Sequence, residues 1–185
     1  EDDLSIRESG NGIPDLIDEA RNEVDFFLSI RDGEAYSQGV TNPSTEWTIM
    51  FQAGCTTMAA WANAANCAML AEAFRIHGDE GLCSYYTEEA AKAYRYAEKQ
   101  EWTQLDDLQN IGTSGMRGRD FKQMAAAFLY NLTGKRSWED VMAQESVVMD
   151  GKSPVFSKQG RNQFYQIWGT AAYLTCPHER HYPEL

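Results

Sequence analysis

Three groups of side chains in this 185-residue chain have the types and spacing to do chemistry. The first is Asp106-Asp107, two adjacent carboxylates of the kind that hold magnesium against a diphosphate. The run continues Leu108-Gln109-Asn110 into Gly112, which reads as a solvated acidic turn. The second is Cys176, His178 and His181, which are zinc-ligand types. No fourth ligand stands near them in sequence, and Pro177 constrains the turn, so no metal or other cofactor is assigned. The third is diffuse. Asp and Glu number 28, so paired carboxylates for glycosidic cleavage are plentiful, but spacing singles out no pair. No Ser-His-Asp order, G-x-S-x-G, phosphate loop or G-x-G-x-x-G is present.

Net charge is −12, which argues against a nucleic-acid or anionic-membrane partner because phosphates would be repelled. No long apolar run escapes polar interruption, so no membrane span is expected. The four cysteines, at 55, 67, 83 and 176, form no C-x-x-C pair and read as buried free thiols.

The element that must position any site is the stretch Cys55 to Ile76, CTTMAAWANAANCAMLAEAFRI. It lacks Pro and Gly, so it reads as a helix of about six turns, roughly 33 Å long. Its apolar residues lie on every side, and its many alanines let neighbouring backbones come close. It is therefore the innermost helix, with Thr56 or Thr57 as its cap. Asn63 and Asn66, unusual on so apolar a helix, need hydrogen-bond partners on a neighbouring loop.

Pro14 reads as the first residue of an earlier helix that ends at Asp32-Gly33, with Asp15, Asp18 and Glu19 favouring its N-terminal dipole. Residues 34–54 read as a long loop carrying Trp47, either a sugar-stacking platform or a plug at the core edge. Residues 83–101 read as a helix with Tyr86, Ala90, Ala93, Tyr94 and Ala97 inward and Trp102 closing it. Residues 103–118 read as loop. Arg119 to Thr133 is helical with Gly134 as its stop. Ser137 and Asp140 resemble an acidic capping box for a short helix. Asn162 to Thr175 forms the last helix, halted by Pro177. No segment alternates well enough to be a strand. The expectation is an all-α chain, 1–185 as a single helical domain, built of antiparallel helix pairs as in a toroid or solenoid.

Ser9 to Arg21, SGNGIPDLIDEAR, resembles a segment of glycoside hydrolase family 9, whose members carry a stretch close to N-G-I-P-D-L-L-D-E-A-R. Cys55 to Phe74 is similar to that family's Thr/Ala-rich helix. Ser114-Gly115, Asp120 and MAAAFLYNLTG to Gly134 look like its S-G-Y-x-D-E-L-x-W-A-A-x-W-L-Y-x-A-T-G. The three matches fall in order over residues 9–135, and the likeness fades beyond.

The resemblance implies part of an (α/α)6 toroid and an inverting hydrolase of β-1,4-glycans, acting on cellulose and its oligosaccharides or on chitosan-type chains. It implies a secreted or periplasmic protein. The family's catalytic aspartates lie upstream of N-G-I-P-D and its acid glutamate beyond Leu185, so no catalytic residue is assigned here. The chain then reads as an internal part of a larger module, whose remainder is a partner as much as the glycan is. Half a toroid should also expose apolar helix faces. Met116 stands where members carry Tyr, which leaves substrate preference open. Trp47, Ser114 and Asp120 are the candidate substrate-binding residues. The alternative reading is a non-catalytic helical module that binds a partner. Asp106-Asp107 also resembles the D-D-x-x-D/E motif of isoprenoid synthases, a more distant third.

Overall fold

A computed structural model describes residues 1–41, 50–100, 116–157 and 164–185. Among the described residues six α-helices carry the fold: α1 Asp15–Ser29, α2 Thr57–His77, α3 Glu80–Lys99, α4 Gly118–Thr133, α5 Arg136–Glu145 and α6 Ile167–Leu174. A single turn of tighter helix, Val147–Asp150, follows α5. A two-residue antiparallel pair, β1 Phe156–Ser157 and β2 Phe164–Tyr165, precedes α6. No described helix is long and apolar enough to cross a membrane.

The centre is α2. Ala60, Ala64, Ala65, Cys67, Ala68, Ala71 and Phe74 have no solvent exposure and cover about half of the helix circumference, while Met69 and Ile76 on the remaining side are exposed. Thr56 caps it by accepting from the Ala59 amide. Asn63 finds its partner on its own helix, at the Ala59 carbonyl 2.8 Å away, and not on a neighbouring loop. Of the four thiols, only Cys67 is buried; Cys83 and Cys176 are half-buried and Cys55 is exposed, all four free. Burial pushes the Cys67 thiol up to about 12, so it serves as a small core residue and not as a nucleophile.

Direction follows from which residues meet. Only Gly78 and Asp79 separate α2 from α3, and only Gly134 and Lys135 separate α4 from α5, so each pair is antiparallel. Gly78 (φ 96°) and Gly134 (φ 63°) take the left-handed conformation that such tight reversals require. Trp61 and Lys122, each in the second turn of its helix, lie 5.6 Å apart, so α2 and α4 run parallel. Gln123 packs against Gly169 near the start of α6, and Asn131 donates to the Ala172 carbonyl further along, so α4 and α6 are parallel too. The result is an inner row of α2, α4 and α6 with α3 and α5 outside it. The short turns lie at one end. The described ends of the long connections lie at the other.

Several expected boundaries shift for local reasons. Pro14 is the N-cap of α1 and not its first residue. Asp15 and Asp18 are buried, where the leading segment folds over them: Leu4 N–H and Ser9 Oγ donate to Asp15, and Asn11 donates to Asp18. Helix α1 ends at Ser29, before Asp32-Gly33. Helix α3 starts at Glu80, because Asp79 caps it by accepting from Leu82 N–H at 2.8 Å. Helix α4 begins one residue early, at Gly118. Ser137 and Asp140 form no capping box; α5 starts at Arg136 with no side-chain cap. Residues 36–41 and 51–56, expected as loop, run antiparallel as a ribbon paired through Ser37 with Cys55 and Val40 with Gln52. Trp102 and Asp106-Asp107 lie outside the described residues.

A core this dense resists added volume. Ala68→Leu is expected to cost about 1–3 kcal/mol through overpacking, read as a lower urea midpoint with an unchanged slope.

Candidate functional site

The end of the inner row that receives the long connections gathers the chemistry. It carries the start of α2 with the ribbon of residues 36–41 and 51–56, the start of α4, and the start of α6 with β1 and β2. Of the three candidate residues, Trp47 and Ser114 fall on two of these connections in sequence but outside the described residues. Asp120 is placed.

Asp120 was expected to meet substrate. The structure puts it fully inside the protein, with no solvent exposure. Its Oδ2 accepts from the Arg117 amide and the Tyr165 amide, each at 3.0 Å, and from Arg117 Nε at 3.2 Å. Its Oδ1 accepts from Arg117 Nη2 at 2.8 Å and Gln166 Nε2 at 3.2 Å. Both oxygens are thus committed to protein donors. A carboxylate so placed is a positioning group: it caps α4 and ties the start of α4 to the segment that leads into α6.

Gln166 completes the tie, and sequence reasoning missed it. It is buried, its Nε2 also donates to the Glu145 carbonyl at 2.9 Å, and its Oε1 accepts from Val147 N–H at 2.9 Å. Its own amide donates to the Val155 carbonyl. Glu145 in turn receives Lys122 at 2.8 Å and Arg119 at 3.0 Å. The signal that could have found it was a lone amide residue directly before an apolar helix, where a buried polar group must be satisfied. Two exposed aromatics at this end were also missed: Phe51 on the ribbon and Trp168, 52% exposed, in the first turn of α6.

At the opposite end the tail folds back beneath α4 and α5. Glu139, fully buried, accepts from Tyr173 Oη (2.7 Å), the His181 amide (2.7 Å) and His181 Nδ1 (2.8 Å). His178 Nε2 donates to the Asn131 carbonyl at 3.0 Å. Cys176, His178 and His181 therefore serve as struts, and among the described residues no group of three or more such side chains could hold a metal ion. Burial alone would raise the Glu139 pKa. The His181 amide, the Tyr173 hydroxyl and the His181 ring outweigh it and hold the pKa below its ordinary 4.5. Asp15, Asp18, Glu72, Glu89 and Glu145 are also buried and each has a donor, so the buried carboxylates brace the fold.

The arrangement of parallel inner helices with antiparallel outer ones recurs in solved enzymes. This is the fold of glycoside hydrolase family 9. A family 9 protein from Bacteroides ovatus superposes with a TM-score of 0.69 at 22% identity, covering 97% of this chain and 36% of that one. A thermostable endoglucanase from Alicyclobacillus acidocaldarius, crystallised as a single mutant, gives 0.69 at 22% identity over 94% and 35%. A metagenome-derived family 9 endoglucanase gives 0.65 at 22% identity over 91% and 32%. The chain thus spans about a third of the length of each of these family 9 structures. No family model and no curated protein matches the sequence.

Two measurements follow. Glu139→Gln is expected to cost about 2 kcal/mol near neutral pH, since it weakens a buried acceptor of three donors. A carboxylate with a depressed folded pKa stabilises fully above its unfolded value and loses that contribution as pH falls through the folded one. Denaturation midpoints of wild type and variant should therefore differ by a constant amount above pH 4.5 and converge below it. Gly169→Ala would bring a Cβ within 2.0 Å of the buried Gln123 Oε1 and should lower the melting temperature, while adding Gln123→Ser should recover part of the loss.

Proposed function

We propose that this chain is an internal part of the catalytic module of an inverting β-1,4-glycan hydrolase, acting on cellulose-type or chitosan-type chains. The observation that carries the reading is the pairing of fold and order. The chain aligns almost end to end with family 9 structures, two of them described as endoglucanases. It also bears the family-like N-G-I-P-D segment ahead of the alanine-rich helix.

An inverting hydrolase needs one carboxylate to activate water and another to protonate the leaving oxygen, about 6.5–9.5 Å apart. The buried carboxylates of the described residues are engaged in the fold, so the reading places the aspartate base and the glutamate acid in the remainder of the module. The open face of α6 supports an internal position. Ile167, Trp168, Ala171 and Leu174 recur along one exposed side, where a further inner helix would pack. In this reading Trp47 stacks on a sugar ring and Ser114 bonds a hydroxyl. Asp120 serves substrate indirectly, by fixing Tyr165 and Gln166 at the end of the inner row that receives the long connections. A polymeric glycan is met outside the cytoplasm, so action in a secreted or periplasmic setting belongs to the same proposal.

The test compares the 185-residue chain with a longer protein that contains it, measuring reducing ends released from carboxymethyl cellulose and from chitosan. Turnover is expected from the longer protein alone. Turnover by the 185 residues would overturn the placement of the catalytic groups. Turnover by neither would favour a helical module that binds a partner through the α6 face. In the active protein, Asp120→Asn is expected to lower kcat/KM by about tenfold or more through misplacement of that end of the inner row.

A further inference from the structure

One recess in the described chain lies apart from the Asp120–Gln166 tie. An open groove of about 500 Å³ lies between the second half of α1 and the first turns of α3, and Arg21, Asp25, Arg31, Leu82, Tyr85 and Tyr86 line it. Leu82, Tyr85 and Tyr86 follow directly on the Gly78-Asp79 turn, so the groove opens on the flank toward the short-turn end. Its volume is within the range of small-molecule sites.

Its floor is fixed before any ligand arrives. Tyr86 Oη donates to Asp25 Oδ1 at 2.7 Å, and the Tyr86 ring stacks against Phe74 of α2 with centroids 5.7 Å apart. Tyr85 meets Tyr86 edge-on at 4.8 Å and is 46% exposed, so a held ring stands open to solvent. Arg31 is anchored by Nε to the Leu28 carbonyl at 3.0 Å and by Nη1 to Glu89 at 2.7 Å. Arg21 reaches Asp25 at 3.4 Å and Asp18 at 3.9 Å. A guanidinium carries five N–H donors, so both arginines keep donors for a ligand.

The charged lining is Arg21, Arg31 and Asp25, and each is paired within the protein. Arg21 stands 3.4 Å from Asp25 and 3.9 Å from Asp18, and Arg31 stands 2.7 Å from Glu89, which lies behind the groove and also takes Lys92 at 2.7 Å. With every charge already paired, the groove has little pull on an ion. It offers planar, forked donors and acceptors beside an aromatic face. That combination fits a neutral ring with hydroxyls around its edge and C–H groups on its face.

We propose that this groove is a second, non-catalytic saccharide-binding site, with one pyranose ring packed on Tyr85 and its hydroxyls bonded by Arg21 and Asp25. The inference goes beyond the hydrolase reading and stands on the groove's own chemistry. It would hold in a chain that hydrolyses nothing.

The test is calorimetric titration of the full chain with cellotetraose, chitotetraose and xylotetraose. At least one should bind with a Kd of about 1 mM or tighter. Tyr85→Ala should weaken that binding about tenfold, and Arg21→Met by a similar factor, while Tyr85→Phe keeps it within about threefold. Trp168→Ala, at the other end, should leave it unchanged. Circular dichroism checks that each variant is folded, and truncating the half-exposed Tyr85 ring leaves the core intact. Binding of none of the three sugars up to about 10 mM would overturn the proposal. So would Tyr85→Ala binding as wild type does, or Trp168→Ala weakening it equally.

Discussion

The close approach of helices around α2 is the constraint on which everything else rests. Alanine at so many interior positions removes the side-chain bulk that ordinarily holds helices apart. Neighbouring backbones then pack at short range, and the dispersion gained is spread over many small contacts. The cost is intolerance: the buried faces of such a helix leave little room in which to yield. Aromatic rings fill what the alanines leave. Trp61 and Tyr94 meet edge-on at 5.0 Å, and Tyr94 and Trp138 at 4.7 Å, so one chain of rings links α2, α3 and α5.

Polar groups do a different job. They do not drive collapse here; they fix ends. Asp79 starts α3, Asp120 starts α4, and Glu139 holds the tail. Each carboxylate bridges parts far apart in sequence or begins a helix whose apolar pattern alone would allow it to slip by a residue or two. Registry of the helices therefore depends on a few carboxylates, and alanine packing supplies the cohesion.

The helices were legible in the sequence because burial writes a pattern. The all-round apolar character of 55–76 announced a central helix, and the apolar spacing in 119–133 announced α4. What was not legible depended on partners distant in the chain. The paired ribbon at 36–41 and 51–56 is too polar and glycine-rich to alternate, and its pairing is satisfied mainly by backbone groups. The last helix came out shorter than its apolar run, since Phe164 and Tyr165 pair with Ser157 and Phe156. Asp120 was recognised by its motif, but only its five hydrogen bonds reveal that it works from inside. Gln166 carries no motif at all, and its importance comes wholly from where Asp120, Glu145 and Val147 stand.

The two-residue reversals at Gly78-Asp79 and Gly134-Lys135 divide the molecule into a fixed end and a free one. At the fixed end, spacing between paired helices is set by a glycine conformation and cannot change by a residue without breaking both partners. His178 sits against Gly134 closely enough that even a methyl group there would meet its ring at 3.1 Å. At the other end the longer connections, residues 30–56, 100–117 and 146–166, join α1 to α2, α3 to α4 and α5 to α6. Lengthening or exchanging a segment there costs only loop-closure entropy, which grows slowly with length. Such a scaffold can acquire new recognition surfaces at that end while its framework stays as it is.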